Sequence, residues 1–265
     1  MMILNVEQLE PNPNFIDKSQ SVSYNEAMNI LLTGHKGFIG QYLHKRLSNN
    51  HTVIGLDIKD NGNILNAKLP EVDLVIHLAG VGGVRKSMEN PKHYWDNNVI
   101  ATHKILKHYA NTRVLFASSS SQYEPWLNPY AASKNVIEAI PHSNRVAMRF
   151  HTVYGETNRQ GMFFDKLLMG TLEYVTEHSR DFVHIEDLCD AIEILIKSDY
   201  VGSIDIGTGE NVEIKKIAPN LPVQPGSILE RQTSKADPSE MKKLGWNPKW
   251  TVQKFLDKHG FEVKL

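Results

Sequence analysis

Cysteine is nearly missing: Cys189 is the single one in 265 residues. No intramolecular disulfide can form, which excludes a disulfide-stapled scaffold and fits a reducing compartment. No apolar run approaches the roughly 20 residues needed to cross a bilayer, so no membrane partner is expected. The opening MMILNVEQLEPNPNF carries neither a basic leader nor a long apolar stretch; a signal peptide is not expected and the reading is a cytoplasmic protein. A surplus of one charge is also lacking. There are 29 Lys and Arg against 30 Asp and Glu, for a net charge of −1. Phosphate-backbone binders show a basic surplus, so nucleic acid is not an expected partner. The 12 histidines show no ligand spacing such as H-E-x-x-H, and no metal is expected. What remains is an ordinary globular composition, 41% hydrophobic and 22% charged. The chain is long enough for one large α/β domain or a core with a smaller lobe.

Residues 5–27 are polar, with Pro11 and Pro13 and no clear period, and 1–27 reads as an N-terminal extension. Short apolar runs then recur at 30–33, 52–57, 73–79, 113–118 and 145–150. Helical patterns lie between several of them. Ile39, Leu43 and Leu47 repeat at i, i+4 and i+8, and Val99, His103, Leu106 and Ala110 fall near one helical face. Alternating strand and helix signals predict an α/β fold, a doubly wound parallel sheet of the Rossmann type with helices on both faces. Past Tyr154 the pattern changes, with Pro and Gly frequent between 202 and 226. The expected division is a Rossmann domain from 28–155 and 178–208, with a smaller substrate-binding lobe from 156–177 and 209–265.

LLTGHKGFIGQYL places Gly34, Gly37 and Gly40 between the first strand and the first helix. Glycines there permit a tight turn and close approach of backbone to a pyrophosphate, and the helix start supplies N–H groups and positive potential. The second strand ends at Asp57, 17 residues beyond Gly40. A carboxylate there accepts from ribose hydroxyls and repels a 2′-phosphate, which favours NAD over NADP. Further on, FASSSSQYEPWLNPYAASK joins four serines to Tyr130 and Lys134. A phenol is a poor base at neutral pH, but an ammonium nearby favours the phenolate. Residues i and i+4 share a helix face, so Lys134 can sit beside Tyr130.

These pieces, in this order, resemble the extended short-chain dehydrogenase/reductase family, and within it the nucleotide-sugar epimerases. GHKGFIG, VIHLAGVGGVRKSMENP, YWDNNV, FASSSSQY, YAASK, RFHTVYG, RDFVHIEDL, DIGTG and DPSEMKKLGW are each similar to a family signature, from about Met28 to Trp246. UDP-glucuronate 4-epimerases are the nearest likeness. The resemblance implies a bound NAD held by Gly34, Gly37, Phe38, Ile39, Gly40, Asp57, Leu78, Ala79, Gly80, Asn98, Tyr130 and Lys134. It implies Tyr130 as the base on the sugar 4-hydroxyl, Lys134 on the phenol and the nicotinamide ribose, and Ser119 as the catalytic hydroxyl, with Ser120 its nearest competitor. A 4-keto sugar would form and be reduced on its other face. Dehydratases of the family carry Asp-Glu after the hydroxyl residue, and decarboxylases commonly a Glu two positions on. Ser120 and Ser121 stand there, which favours epimerisation over those alternatives; a non-catalytic NAD binder is the third reading.

By the same likeness, Thr152 and Arg159 fall where a sugar carboxylate is held, a task suited to the planar guanidinium fork. Arg180 resembles the family's diphosphate-binding Arg, with a salt bridge to Asp181 or Asp187 as its alternative, and Arg85 has a similar duality. The family's RPGD reads QPGS at 224–227, and Arg231 could replace the missing cation. Between Asp57 and Asp73 the chain is short, leaving Asn63 or Asn66 as candidates for the adenine. Relatives often dimerise through the helix carrying Tyr-x-x-x-Lys, so a homodimer is expected, with Val136, Ile137 and Ile140 to offer.

Overall fold

The computed structural model describes residues 26–156 and 161–265. In chain order the strands are β1 (Asn29–Thr33), β2 (Thr52–Leu56), β3 (Leu74–His77), β4 (Arg113–Ser119), β5 (Arg145–Phe150), β6 (Thr152–Tyr154), β7 (Val175–Thr176), β8 (Ser179–Arg180), β9 (Phe182–His184) and β10 (Gly202–Ile206). The helices that frame the site are α1 (Phe38–Leu47), α2 (Val84–Glu89), α3 (Pro91–Tyr94), α4 (Ala101–His108), α5 (Pro129–Ala139), α6 (Phe163–Leu168) and α7 (Ile185–Lys197). Six strands pair in parallel in the order β10-β5-β4-β3-β1-β2. Chain order reverses at β1, which lies between β3 and β2, and doubly wound sheets open a ligand crevice at the carboxyl ends of the strands at such a point.

The inner strands are apolar on both sides because both faces are covered, while the edge strand β2 is partly exposed. Leu31, Val75, Val114 and Phe116 pack with Ile105, Leu106 and Ile137 of α4 and α5. Ile30, Leu32, Leu74, Ile76 and Leu115 face the other way, onto Leu43 and Leu47 of α1 and Leu188, Ile192 and Leu195 of α7. The helical face expected at Val99, His103, Leu106 and Ala110 is corrected: His103 and Ala110 are exposed, and Val99, Ile105, Leu106 and Tyr109 are buried. Val99 lies on a π-helical turn at Trp95–Ile100, between α3 and α4, which shifts the register relative to His103, and Ala110 lies beyond the end of α4 at His108.

A third apolar cluster gathers Tyr154, Phe164, Leu167, Phe182, Ile217, Val252, Phe255 and Leu256 away from the main sheet. It is tied to the sheet by Asp181, whose buried carboxylate accepts from the Thr208, Gly209 and Ala236 amides at 2.8, 2.8 and 3.0 Å and from the Thr208 hydroxyl at 3.0 Å.

Candidate active site

The crevice begins at the turn after β1. Gly34 has φ +72°, and a Cβ on it would lie 2.7 Å from the Ala79 nitrogen. A Cβ on Gly40 would stand 2.1 Å from the Gly34 carbonyl oxygen. Both positions therefore exclude a side chain, and the turn closes with Gly37 N donating to Gly34 O at 2.9 Å. Gly37 caps α1 with no side-chain hydrogen bond, and the first turn of α1 holds no acidic residue. Phe38 and Ile39 open the helix and pack against the core. A bare helix start with no built-in carboxylate suits an anionic pyrophosphate, so the residues present fit NAD.

Asp57 is buried at the end of β2. Its carboxylate accepts from the Lys36 and Lys59 amides, each at 3.0 Å, pinning the glycine turn to the turn after β2. A carboxylate offers about four acceptor sites, so two remain for ribose hydroxyls. Asn63 caps its own turn, accepting from Leu65 N at 2.9 Å.

Leu78, Ala79 and Gly80 follow β3 along the other wall. Leu78 and Ala79 donate to the Thr33 carbonyl and hydroxyl at 3.1 and 3.2 Å. A Cβ on Gly80 would lie 3.0 Å from the Asn98 amide oxygen and 3.6 Å from the Lys134 ammonium. Asn98 sits on the π-helical turn, almost fully buried. It accepts from Val81 N at 2.7 Å and donates to Val81 O and to Ser133 Oγ at 3.1 and 2.9 Å. Ser133 in turn donates to the Tyr130 carbonyl at 2.7 Å. The wall after β3 is thus hydrogen-bonded through Asn98 to the helix that carries Tyr130 and Lys134.

That helix, α5, is capped by Asn128, whose side chain accepts from Ala131 N at 2.8 Å, and Pro129 stands in its first turn, where a missing N–H costs nothing. Lys134 is 6% exposed and donates to the Ala117 carbonyl of β4 at 2.8 Å. Burial lowers its pKa from 10.5 to about 8. Tyr130, one turn earlier, packs edge-on against Tyr94 with ring centroids 6.2 Å apart. The Tyr94 hydroxyl donates to the Gly82 and Gly83 carbonyls, both at 2.9 Å, fixing the loop before α2. Ser119 ends β4, and its hydroxyl accepts from Ser121 N at 3.1 Å, starting the short turn of Ser120–Tyr123.

The substrate candidates divide. Thr152 begins β6, its amide bonded to the Asp181 carbonyl at 2.9 Å, and lines a small apolar cavity with Phe38, Tyr154, Phe163 and Phe182. Arg159 lies outside the described residues. Arg180 does not pair with Asp181 or Asp187: both carboxylates are taken by backbone amides, Asp187 by those of Lys249 and Trp250 at 2.8 Å. Its partner is Glu230, at 3.3 Å, which also stands 3.7 Å from Arg85. Arg231 reaches the turn that follows the serines. Its guanidinium donates to the Ser120 carbonyl at 2.9 Å and lies over the Tyr123 ring, 5.3 Å from the centroid.

Sequence reasoning missed a polar network behind the serines. Arg149 pairs with Glu138 at 2.8 Å and donates to the Tyr123 hydroxyl at 2.8 Å, and that hydroxyl donates to Asp205 at 2.7 Å. Ser118 joins Glu138. Burial, then the bond to Asp205, pushes the Tyr123 phenol up to about 12, so Tyr123 stays protonated and structural. One signal was available: Tyr130, Lys134 and Glu138 recur at i, i+4 and i+8 on one face.

Comparison with known proteins agrees with the parallel α/β fold. The model of the NAD dependent epimerase/dehydratase family matches residues 30–207. An uncharacterized protein of Methanocaldococcus jannaschii is 30% identical over 86% of this chain and 94% of its own length. Among solved structures, MoeE5 in complex with UDP-glucuronic acid and NAD superposes with a TM-score of 0.75 at 27% identity, covering 86% of this chain and 96% of that one. A UDP-glucuronic acid 4-epimerase of Bacillus cereus, in complex with UDP-glucuronic acid and NAD, gives 0.74 at 25% identity, covering 87% and 97%. The chain belongs to the NAD dependent epimerase/dehydratase family, and NAD is its cofactor.

Proposed function

We infer that this protein is an NAD-dependent nucleotide-sugar 4-epimerase, an isomerase, and that its substrate is UDP-glucuronate, converted to UDP-galacturonate. The observation that carries the chemistry is one line of contacts. A Cβ on Gly34 would meet Ala79, and one on the next residue, Gly80, would meet the Lys134 ammonium, so cofactor cradle and catalytic helix share one crevice. Tyr130 takes the proton from the sugar 4-hydroxyl, its phenolate favoured by the Lys134 charge one turn away. Ser119 hydrogen-bonds the same sugar oxygen. When bound, NAD supplies the acceptor and then the donor of the C4 hydride. The 4-keto sugar turns over in the site, and Tyr130 returns the proton to the opposite epimer.

The choice of sugar rests on Thr152 and Arg159 as carboxylate handles and on the UDP-glucuronic acid relatives. Incubation with NAD and UDP-glucuronate, followed by proton NMR of the anomeric region, tests it. A galacturonate signal at unchanged mass is expected. Inert UDP-glucuronate beside a reacting UDP-glucose would move the specificity to the neutral sugar. Carbon dioxide release or a lasting 4-keto product would replace epimerisation with decarboxylation or dehydration.

The assembly we propose is a homodimer through the helical stretch entering α4. Ile137 is buried against the sheet and Val136 and Ile140 pack partly on the same core, so α5 does not offer them; Trp95 and Ile100, on the π-helical turn that leads into α4, are exposed, and large exposed apolar side chains suit an interface. A monomeric mass by light scattering would refute it. The compartment we propose is the cytoplasm, in keeping with the buried, unpaired Cys189.

A further inference from the structure

Three consecutive residues, Leu229, Glu230 and Arg231, touch three different parts of the site. The Leu229 carbonyl accepts from the Asn128 side chain at 2.9 Å, and Asn128 is the cap of the catalytic helix. Arg231 donates to the Ser120 carbonyl at 2.9 Å, next to the catalytic serine. Between them, Glu230 spans the two cations expected at the substrate diphosphate, Arg180 Nη2 at 3.3 Å and Arg85 Nε at 3.7 Å. Among the described residues no other carboxylate pairs with either guanidinium. The rest of the surroundings holds the arginines without neutralising them. Arg85 is hydrogen-bonded to Tyr174, and Arg180 donates to the Ser179 and Gln232 carbonyls at 3.0 and 3.3 Å. His178 packs against Gly226, where a Cβ would lie 2.4 Å from its ring.

We propose that Glu230 is a stand-in for the substrate's diphosphate: it holds Arg85 and Arg180 until a nucleoside diphosphate displaces it, and the displacement is passed by Leu229 and Arg231 to Asn128 and Ser120. This rests on the nucleotide-sugar reading. A diphosphate brings more negative charge and more acceptor oxygens to two guanidiniums than one carboxylate can, so the exchange favours the ligand. Displaced, Glu230 moves a chain whose neighbours are bonded to the serine turn and to the cap of α5. Recognition of the diphosphate, remote from the reacting carbon, then adjusts the groups that do the chemistry.

The test is calorimetric titration of the full-length, NAD-loaded protein with UDP, for the wild type, Glu230→Gln and Glu230→Ala. Removing the competing charge is expected to tighten UDP binding about three- to tenfold, as befits two partly exposed ion pairs. UMP, with one phosphate, should gain less. Hydrogen exchange supplies a second reading that does not depend on affinity. UDP should alter protection of the amides at 120–123 and 128–131 in the wild type, and both variants should show part of that change without UDP. Equal or weaker UDP binding in the variants, or exchange at those segments indifferent to UDP, overturns the proposal while leaving the nucleotide-sugar reading in place. A wild type that binds no nucleoside diphosphate overturns both.

Discussion

Replacing Lys134 by Met should destroy activity and stabilise the nucleotide-free fold at the same time. The ammonium is almost fully buried, and burial lowers its pKa from 10.5 to about 8. At about 1.4 kcal/mol per pKa unit, holding that charge inside at pH 7 costs about 3 kcal/mol. The lysine returns part of this through its bond to the Ala117 carbonyl, worth about 1 kcal/mol. Met fills similar space without the charge, so the variant should gain about 2 kcal/mol near neutral pH, or about 4–8 °C in melting temperature for a chain of this size. The sign with pH is fixed. Between about pH 8 and 10.5 the unfolded chain still holds the proton that the folded chain has released, so wild-type stability rises across that window. The Met variant lacks this rise, and the gap between the two should close as pH climbs. Calorimetric melts of nucleotide-free protein from pH 7 to 10 measure it. A Met variant less stable than wild type at pH 7, or a gap that does not depend on pH, would refute the reasoning.

Tyr130→Phe should lower turnover by about 10²- to 10⁴-fold, the usual worth of a general base, while NAD stays bound, as followed by NMR of the sugar and absorbance of the released cofactor. In Gly34→Ala the new Cβ meets the Ala79 backbone at 2.7 Å in a left-handed conformation; a loss of about 1–3 kcal/mol in urea unfolding and a weaker hold on NAD are expected. His77, between the Thr33 and Thr102 hydroxyls at 2.6 and 3.0 Å, is kept neutral by burial, with its pKa lowered from 6.5 to about 3. The unfolded chain protonates first, so stability should fall by up to about 5 kcal/mol as pH drops from 6.5 towards 3, and urea midpoints of a His77→Gln variant should change less over the same range.

The parallel sheet was legible because β1, β3, β4 and β5 are buried on both faces, so their apolar runs stand out from polar surroundings; β2, at the edge, is partly exposed. The sixth strand carries Gly202, Ser203 and Asp205 and forms no such run; only its place in the family's order of motifs suggested it. Gly34 and Gly40 could be read from spacing because backbone contact there tolerates no side chain. Other features are set by partners distant in sequence. Glu230 meets Arg180 and Arg85 across 50 and 145 positions, Arg231 meets Ser120 across 111, and no local pattern encodes such pairs. The π-helical turn was invisible for another reason: one extra residue per turn leaves no mark in a sequence read at 3.6.

The Asp181 carboxylate gathers three backbone amides and a hydroxyl from the turn after β10 and from Ala236. Mechanically this is a rivet. A second buried carboxylate, Asp187, holds the Lys249 and Trp250 amides at 2.8 Å, so the C-terminal segments are fastened at two points and cannot turn as a body; any travel of Glu230 belongs to its own loop. Lengthening or trading that loop would change its reach and leave both fastenings where they are.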